Sequence, residues 1–590
     1  MAKFDLSHIL RRIGRLTRHE QVILSVLAVV TGLVAGGCAI VFREAVAAVQ
    51  FASIGEWGER VHGQISLLPW WRILLTTTAG GLLVGVLVRL IMPSQRPEGV
   101  ADVIAAGALR NGRMSLRAGL GAAAVSAISL GTGASTGREG PVVHFGASLS
   151  AFIAEKLHLG RALSRTILGC GVATAVAASF NAPIAGVFFA LEVVLGHYAL
   201  SAFAPVVIAA VTGTVLSRVY FGDFPAFIVP TGEINSFFEF PAFAFLGVVS
   251  AIVAVIFMRL IAVTTSVFQQ ASVPIWLRPA IGGFAVGILA LFYPHILGVG
   301  YEATDMALNG QLVLFTMLIL IFAKVAATAI CLGSGFGGGV FSPSLFLGAM
   351  TGGAYGVIAT SVFPELSSGH SAYTLVGMGA VAGAVLGAPI STILIVFELT
   401  GNYALTVAVM LATVLATTLT RYLFGHSFFT WQLESSGISL EGAREQRLLQ
   451  SIGVSEIMRK DHITVTPGDT LSTVRMQIMR SHFGMVFVID ENGALQGTIA
   501  LNDLADSAFD TSLDTLLNAQ DVMHLHPPVL AESDDLGRAF RLMEGEDEDH
   551  VPVVDSLESM VLVGIVHQRD VMHAHSRAIL TVREAAGEER

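Results

Sequence analysis

Long apolar segments recur through the first 430 residues and contain few charged side chains. A helix that crosses a bilayer needs about 20 mainly apolar residues. The segments that meet this requirement are 21–49, 73–92, 241–263, 278–296, 312–332 and 403–424. This pattern predicts a polytopic α-helical membrane protein.

Other apolar segments are shorter and are interrupted by glycine or proline. They are 117–134, 142–156, 164–180, 182–195 and 373–400. Interrupted helices at membrane depth are tolerated only where the backbone is buried in protein or lines a polar path. We therefore expect about a dozen and a half helical segments, some of which do not cross the bilayer.

The residues before the first apolar segment include the basic side chains of Lys3, Arg11, Arg12, Arg15 and Arg18. This leading stretch is too extended for a cleaved signal peptide, and the positive-inside rule places it in the cytoplasm. We expect a multi-pass protein of the cell (inner) membrane with cytoplasmic N- and C-termini.

The apolar region contains an internal repeat. Ala182-Pro183-Ile184 precedes Glu192, and Ala388-Pro389-Ile390 precedes Glu398, by ten residues from the alanine in both cases. Two similar halves with interrupted helices are typical of a transporter or channel whose substrate site lies at the repeat interface. Because Glu192 and Glu398 are equivalent in the two halves, we expect them to have a structural role.

After Phe429 the pattern changes to that of a soluble α/β region with two β-α-β-β-α copies of about 60 residues, which pair because one copy alone buries little core. The charge changes at the same place. Residues 431–590 hold 27 acids and 12 bases, a balance of −15, whereas the remaining 17 acids and 22 bases give +5. An acidic soluble tail gives no indication of nucleic-acid binding.

These changes predict the domain boundaries. We expect an N-terminal segment 1–20, a membrane domain 21–430 with repeats at about 21–225 and 240–430, a linker 431–450, α/β copies 451–510 and 517–577, and a tail 578–590.

The charged fraction of 13%, against roughly 25% in soluble domains, excludes a soluble globular enzyme for most of the chain. Cys38, Cys170 and Cys331 lie far apart in apolar segments, which indicates neither a disulfide framework nor a metal cluster. We see no nucleophile beside a base and no metal-ligand cluster, so we expect neither an enzyme nor a bound cofactor.

Gly137–Pro141 is the strongest single motif, and it is echoed by Gly339–Pro343 at an offset of 202. Proline at the start of a helix, after small residues, leaves backbone N–H groups free at the helix end. Two such ends can bind an anion by partial positive charge without trapping it. The alternative is that these glycines serve only close helix packing.

Glu139 lies within this motif and is an ionisable residue at membrane depth, which makes it a functional candidate. Its carboxylate can take the place of an anion, and protonation would then open the path. The alternative is a carboxylate held by Arg138 or by backbone N–H groups. His144 is a candidate pH sensor near Glu139, although we favour a packing or hydrogen-bonded role.

These motifs resemble those of the CLC chloride channels and chloride/proton antiporters over nearly the whole chain. The matching segments are Gly137–Pro141, Asn181-Ala182-Pro183, Gly339–Pro343 and Gly387-Ala388-Pro389, and 450–577 is similar to paired cystathionine-β-synthase-type (CBS) domains. The resemblance implies an inverted-repeat homodimer with one chloride pore per subunit and Glu139 as the external gating glutamate. The implied anion-binding positions are Glu98, Gly99, Arg138, Gly140, Gly339, Val340, Phe341 and Phe429.

Three departures from the family pattern concern the mechanism. Glu98 replaces a serine that commonly reaches the central anion, and it is either a second titratable gate or a residue facing a vestibule. Phe429 replaces a tyrosine and lacks its hydroxyl. The central site should therefore bind its anion more weakly and depend more on the Val340 and Phe341 N–H groups. Val193 stands where antiporters of the family generally have a second, inner proton glutamate.

Because valine carries no proton, we predict a chloride channel gated by Glu139 with a regulatory CBS pair. The alternative is a chloride/proton antiporter that lacks the inner glutamate, with Glu98 as a conceivable substitute. A non-conducting membrane sensor is a remote alternative.

In the CBS-like copies, Asp503 and Asp570 occupy the family position that binds ribose hydroxyls. The usual Ser/Thr three residues earlier is Ala500 in the first copy and His567 in the second. We therefore favour a structural or dimer-stabilising role over adenine-nucleotide binding.

Overall fold

A computed structural model describes residues 20–58, 62–196, 198–223, 227, 234–438, 449–450, 452–504, 516–546 and 548–586. The chain forms two compact units, Met1–Ile438 and Ser439–Arg590. The predicted N-terminal segment 1–20 lies almost wholly outside the described residues, as does half of the predicted linker, 439–448.

The first half of the membrane unit is helical. Its helices are α1 (Glu20–Ile54), α2 (His62–Ile65), α3 (Trp70–Ile91), α4 (Val100–Leu109), α5 (Leu116–Gly131), α6 (Glu139–Lys156), α7 (Arg161–Phe180), α8 (Pro183–Phe189), which continues as a π-helical segment (Ala190–Leu195), and α9 (Leu200–Phe221).

The second half follows the same scheme. Its helices are α10 (Phe240–Gln270), α11 (Arg278–Phe292), α12 (Tyr301–Leu308), α13 (Leu314–Ser334), α14 (Phe341–Val362), α15 (His370–Leu386), α16 (Pro389–Thr400), α17 (Tyr403–Phe424) and α18 (Phe428–Ser435). The expected mixture of long helices and short, interrupted ones is confirmed.

Eight helices among the described residues are long and apolar enough to cross a membrane. They include three that the hydropathy pattern did not single out as spans: Arg161–Phe180, Leu200–Phe221 and Phe341–Val362. In Arg161–Phe180, 78% of the apolar window is buried inside the protein. Its small residues therefore pack against other helices instead of lipid, which explains why its apolar signal is weak.

Two predicted segments have different bounds in the structure. The helix expected over 278–296 ends at Phe292, because Pro294 cannot continue it, and it is too short to count as a span. The segment 373–400 is two helices, since Gly387 ends α15 in the left-handed conformation at φ +66° and Pro389 begins α16.

The two halves cap each other reciprocally. The Glu398 carboxylate of α16 accepts hydrogen bonds from the N–H groups of Ile184 and Ala185, at 3.0 and 2.8 Å. The Glu192 carboxylate accepts from the N–H groups of Ile390 and Ser391, at 3.1 and 2.9 Å. Each acid thus satisfies the free end of the equivalent helix in the other half, which confirms the structural role expected for both.

The second unit contains two small sheets and short helices. Its elements are α19 (Val454–Ile457), β1 (Thr464–Val465), α20 (Leu471–Arg480), β2 (Met485–Ile489), β3 (Leu495–Ala500), α21 (Ala519–Val522), β4 (His524–Leu525), β5 (Leu530–Ala531), α22 (Leu536–Glu546), β6 (His550–Val554), β7 (Leu562–His567) and α23 (Gln568–Ala586).

The two copies in this unit share their sheets and their core. The sheets have the orders β1-β2-β3-β4 and β5-β6-β7, so β4, from the start of the second copy, completes the sheet of the first. Likewise, Arg459 of the first copy forms an antiparallel β-bridge with Ile565 of β7 in the second copy. The buried residues Phe487, Leu495, Val554 and Ile565 form one apolar cluster between the copies, as expected if one copy alone buries too little core.

Candidate functional site

The two repeated glycine motifs meet at the interface of the halves. The N–H of Gly137 donates to the carbonyl of Gly339 at 2.6 Å, and the N–H of Gly339 donates to the carbonyl of Gly137 at 2.8 Å. This reciprocal pair has two-fold symmetry and brings together the N-termini of α6 and α14. A Cβ atom on Gly140 would lie 3.3 Å from the Gly339 Cα, so small residues are needed for this approach.

Glu139 is the first residue of α6 and lies beside the start of α14. Its side chain is 1% exposed. Oε1 accepts hydrogen bonds from the Tyr301 hydroxyl at 2.7 Å and from the Ser342 hydroxyl at 2.5 Å, while the Arg138 Nε lies 3.8 Å away. The carboxylate thus lies where two helix ends and two hydroxyl donors favour negative charge.

Tyr301 was not identified from the sequence as part of this site. It is the first residue of α12 and lies 162 residues from Glu139. The buried Lys324 ammonium donates to the carbonyls of Ile296 and Gly298, at 2.9 and 3.0 Å, and so holds the turn that leads into α12. A tyrosine after a glycine-rich turn was the only local signal, and it does not identify the partner.

The Arg138 guanidinium also contacts the site residues. One of its Nη atoms donates to the Ser179 carbonyl at 3.2 Å, and its Cζ lies 5.0 Å from the Tyr301 ring centre. Arg138 therefore supports Tyr301 as well as lying near the Glu139 carboxylate. Its position is compatible with the alternative interpretation, in which Arg138 helps to hold Glu139.

A cavity of about 10 Å³ lies directly beside Glu139, and we name it the central cavity. Its lining residues are Val100, Glu139, Gly140, Val143, Phe189, Gly339, Val340, Phe341 and Phe429. The Phe429 ring lines this cavity and presents no hydroxyl to it. Apart from Glu139, the lining residues have apolar side chains or none.

A larger cavity of about 440 Å³, the vestibule, adjoins the central cavity. Both are lined by Val100, Gly140, Gly339, Val340 and Phe429, which form a shared wall. Gly99 and Glu98 also line the vestibule. The structure thus places Glu98 on the vestibule surface.

Glu98 lies beside His144 of α6. Glu98 Oε2 is 3.3 Å from His144 Nε2, and Glu98 Oε1 accepts from the Ser94 hydroxyl at 3.1 Å. The His144 side chain is 1% exposed and that of Glu98 is 18% exposed. Sequence reasoning singled out both residues but did not pair them, because Glu98 lies in the loop before α4 and His144 lies on α6.

On the other side of Arg138 lies a third cavity of about 240 Å³. Its charged lining residues are Arg43, Glu44 and Arg138. Arg138 is thus exposed to this cavity while Glu139 lines the central cavity. The Glu139 carboxylate therefore occupies a closed position between two larger spaces.

Val193 follows Glu192 in the π-helical segment and is half-buried. The preceding acid is fully engaged in capping α16, where the Ser391 hydroxyl also donates to it at 2.5 Å. π-Helical turns are frequent at functional sites, but this one provides no titratable group at Val193.

In the second unit, the two candidate ribose-binding carboxylates already have protein partners. Asp570 accepts from Nε and one Nη of Arg459, at 2.6 and 2.9 Å. Asp503 accepts from the Ala500 N–H at 2.7 Å and lies 2.9 Å from His524 Nε2. Both carboxylates are thus engaged by groups of the same unit.

Comparison with known proteins agrees with this architecture. The family model described as voltage gated chloride channel matches residues 80–421, and the CBS domain model matches 454–510 and 519–577. The H(+)/Cl(-) exchange transporter ClcA of Cronobacter sakazakii is 30% identical over 443 residues, which are 71% of this chain and 91% of that protein.

One more relative and one solved structure are also similar to this chain. Chloride channel protein CLC-f of Arabidopsis thaliana is 28% identical over 499 residues, 74% of this chain and 62% of that protein. The crystal structure of a slow cyanobacterial Cl-/H+ antiporter has a TM-score of 0.63 at 22% identity and covers 71% of this chain and 98% of that one. The last similarity shows the fold alone.

The matched membrane region, the two helix-end motifs that meet at Glu139 and the C-terminal CBS pair lead to one conclusion: the chain belongs to the CLC family of anion-transporting membrane proteins.

Proposed function

We propose that this protein exchanges chloride, or a similar anion, for protons across the membrane. This proposal replaces the channel that we predicted from Val193. The observation that carries it is the position of Glu139, a buried acid in a central cavity of about 10 Å³ between two larger cavities. An exchanger needs such a closed, proton-binding state, because a pore open at both ends would dissipate the gradients.

The contacts of Glu139 describe what this group does in the cycle. As a carboxylate it accepts from Tyr301 and Ser342 and occupies the end of the anion path. A proton on the carboxylate removes its charge, and an anion can then take its place between the helix N-termini. Occupancy by an anion and protonation of the carboxylate are thus linked at one site, and exchange requires such a link.

The similar protein of Cronobacter sakazakii is an H(+)/Cl(-) exchange transporter, which supports the same choice. Val193 is the observation that favours the second candidate, a passive chloride channel. In that case Glu139 would act only as a gate. The two candidates differ in whether anion movement drives proton movement.

We further propose that the protein is a homodimer in the cell membrane with both termini in the cytoplasm, one anion path per subunit, and a regulatory CBS pair. The basic N-terminal residues support the orientation. We propose no bound cofactor for the transport step.

The test is transport in liposomes that contain the purified full-length protein. An imposed chloride gradient should drive protons against their own gradient, and a protonophore should collapse that proton signal while chloride flux continues. Protein-free liposomes and the Glu139→Gln variant are the controls, and neither should move protons. Chloride flux without uphill proton movement in the wild-type protein would establish the channel instead.

A further inference from the structure

An exchanger also needs a group that takes protons from the vestibule, and Val193 does not provide one. The charged side chains that line the vestibule are Arg96, Glu98 and Arg278. Of these, only Glu98 is an acid. It is therefore the proton acceptor to consider on this side of Glu139.

Glu98 and His144 form a pair of titratable side chains, and neither lines the central cavity. The Glu98 Oε2 to His144 Nε2 distance of 3.3 Å is within ion-pair range. The imidazole is almost wholly buried, whereas the carboxylate reaches the vestibule. One member of the pair thus contacts solvent and the other lies inside the protein on α6.

Two arginine side chains lie near this pair. Arg96 lies near Glu98 but is held by Asp102 through hydrogen bonds of 3.2 and 2.5 Å, and Arg278 lies in the same vestibule. A buried imidazolium is costly unless a carboxylate faces it. A proton that reaches this pair from the vestibule is therefore best balanced by the release of another from it.

The pair is also close to Glu139. His144 and Glu139 lie on the same helix and are five residues apart, which places their Cα atoms about 9 Å from each other. The vestibule that Glu98 lines shares the wall residues Gly140, Val340 and Phe429 with the central cavity that Glu139 lines. Glu98 and Glu139 thus line cavities that share a wall.

We propose that Glu98 and His144 together form the inner proton-loading site of this transporter. A proton from the vestibule adds to the Glu98 carboxylate as the pair releases one proton toward the Glu139 carboxylate, which becomes a neutral acid. No bond other than those to the proton changes, and the pair returns to its starting charge. This inference rests on the proposed exchange function.

The experiment compares proton and chloride transport in liposomes for wild type, Glu98→Gln and His144→Gln. A matched control is Glu155→Gln, which alters an exposed acid at the far end of α6. We expect the number of protons moved per chloride to fall at least tenfold in Glu98→Gln and several-fold in His144→Gln, and to stay at the wild-type value in the control. Chloride flux should persist in both pair variants, which shows that they are folded.

The outcomes separate this inference from the function on which it rests. Wild-type protein that moves chloride without protons would overturn the exchange function and the loading site together. Coupled wild-type transport with unchanged coupling in Glu98→Gln would overturn the loading site alone. If Glu98→Gln yields no folded protein, His144→Gln and Glu98→Ser test the proposal in its place. A wild-type number of protons per chloride in both folded variants would contradict it.

Discussion

The hydroxyl of Tyr301 donates a 2.7 Å hydrogen bond to Oε1 of Glu139, across 162 residues of sequence and between the two halves of the membrane unit. The same oxygen accepts from Ser342. Glu139 is therefore held by side chains of the second half, although it belongs to the first. Under the proposed function, release of Glu139 breaks both bonds, so we expect their strength to set how readily an anion enters.

Substitution of Tyr301 by phenylalanine tests this hold. Phenylalanine keeps the ring contacts with Arg138 and Phe227 and removes only the hydroxyl. A hydrogen bond to a charged group contributes about 1.5–3 kcal/mol, so we expect chloride flux at neutral pH to rise about tenfold. Liposome chloride efflux measures the effect. An unchanged rate would mean that this bond does not limit release of the carboxylate.

Replacing Glu139 itself by glutamine imitates the protonated acid. Because the charge that competes with the anion is removed, chloride flux should rise and its dependence on pH should flatten. Proton coupling should be lost. Efflux recorded between pH 5 and pH 8 checks this, and a silent variant or one with the wild-type pH response would show that the gating role belongs to another residue.

Lys324→Met tests the turn that carries Tyr301. The ammonium is fully buried and donates to the carbonyls of Ile296 and Gly298. Methionine would leave both carbonyls without this donor, so we expect a loss of about 2 kcal/mol of stability and a flux change in the direction of Tyr301→Phe. Thermal unfolding in detergent measures the first effect. The exposed Lys156, changed to methionine, is the control and should unfold like wild type.

The reciprocal caps predict which of two variants loses more stability. Glu398→Ala removes the acceptor for two N–H groups, which should cost about 1–3 kcal/mol. Glu192→Ala also removes the acceptor of the Ser391 hydroxyl and should cost more. Unfolding in detergent compares both with Glu155→Ala, an exposed acid on α6. Equal stability of all three proteins would show that the two caps do not stabilise the membrane unit.

The second unit should lose stability in mild acid. Burial, together with the neighbouring His567 imidazole, lowers the pKa of His550 below its usual value, and burial lowers the pKa of His462. The unfolded chain therefore binds these protons more readily, so stability is full above about pH 6.5 and falls as the pH drops through the lowered values.

Hydrogen exchange of the β6 and β7 amides in the full-length protein, at pH 7.5 and pH 5.5, measures this loss. His550→Gln should reduce the difference between the two pH values. The exposed His482, changed to glutamine, should keep it. A variant at His550 that responds to pH like wild type would assign the acid sensitivity to other groups.

Several features of the site could be predicted before any tertiary information. The spacing of Gly137–Pro141 and Gly339–Pro343 predicted two helix ends that face one anion site, and the structure brings them together through reciprocal hydrogen bonds. The equivalence of Glu192 and Glu398 predicted their structural role. In contrast, weakly apolar helices such as Arg161–Phe180 were not recognised as spans, because they are shielded from lipid by neighbouring helices.

The sequence by itself determined the membrane class, the duplicated halves, the helix-end motifs and the soluble pair of α/β copies, because each depends on local periodicity, on glycine and proline, or on a repeated spacing. Only the tertiary structure decided which side chains meet: Tyr301 with Glu139, Glu98 with His144, and each capping acid with the opposite half. These partners lie in separate helices, and their distances depend on how the helices pack. No local pattern encodes that packing.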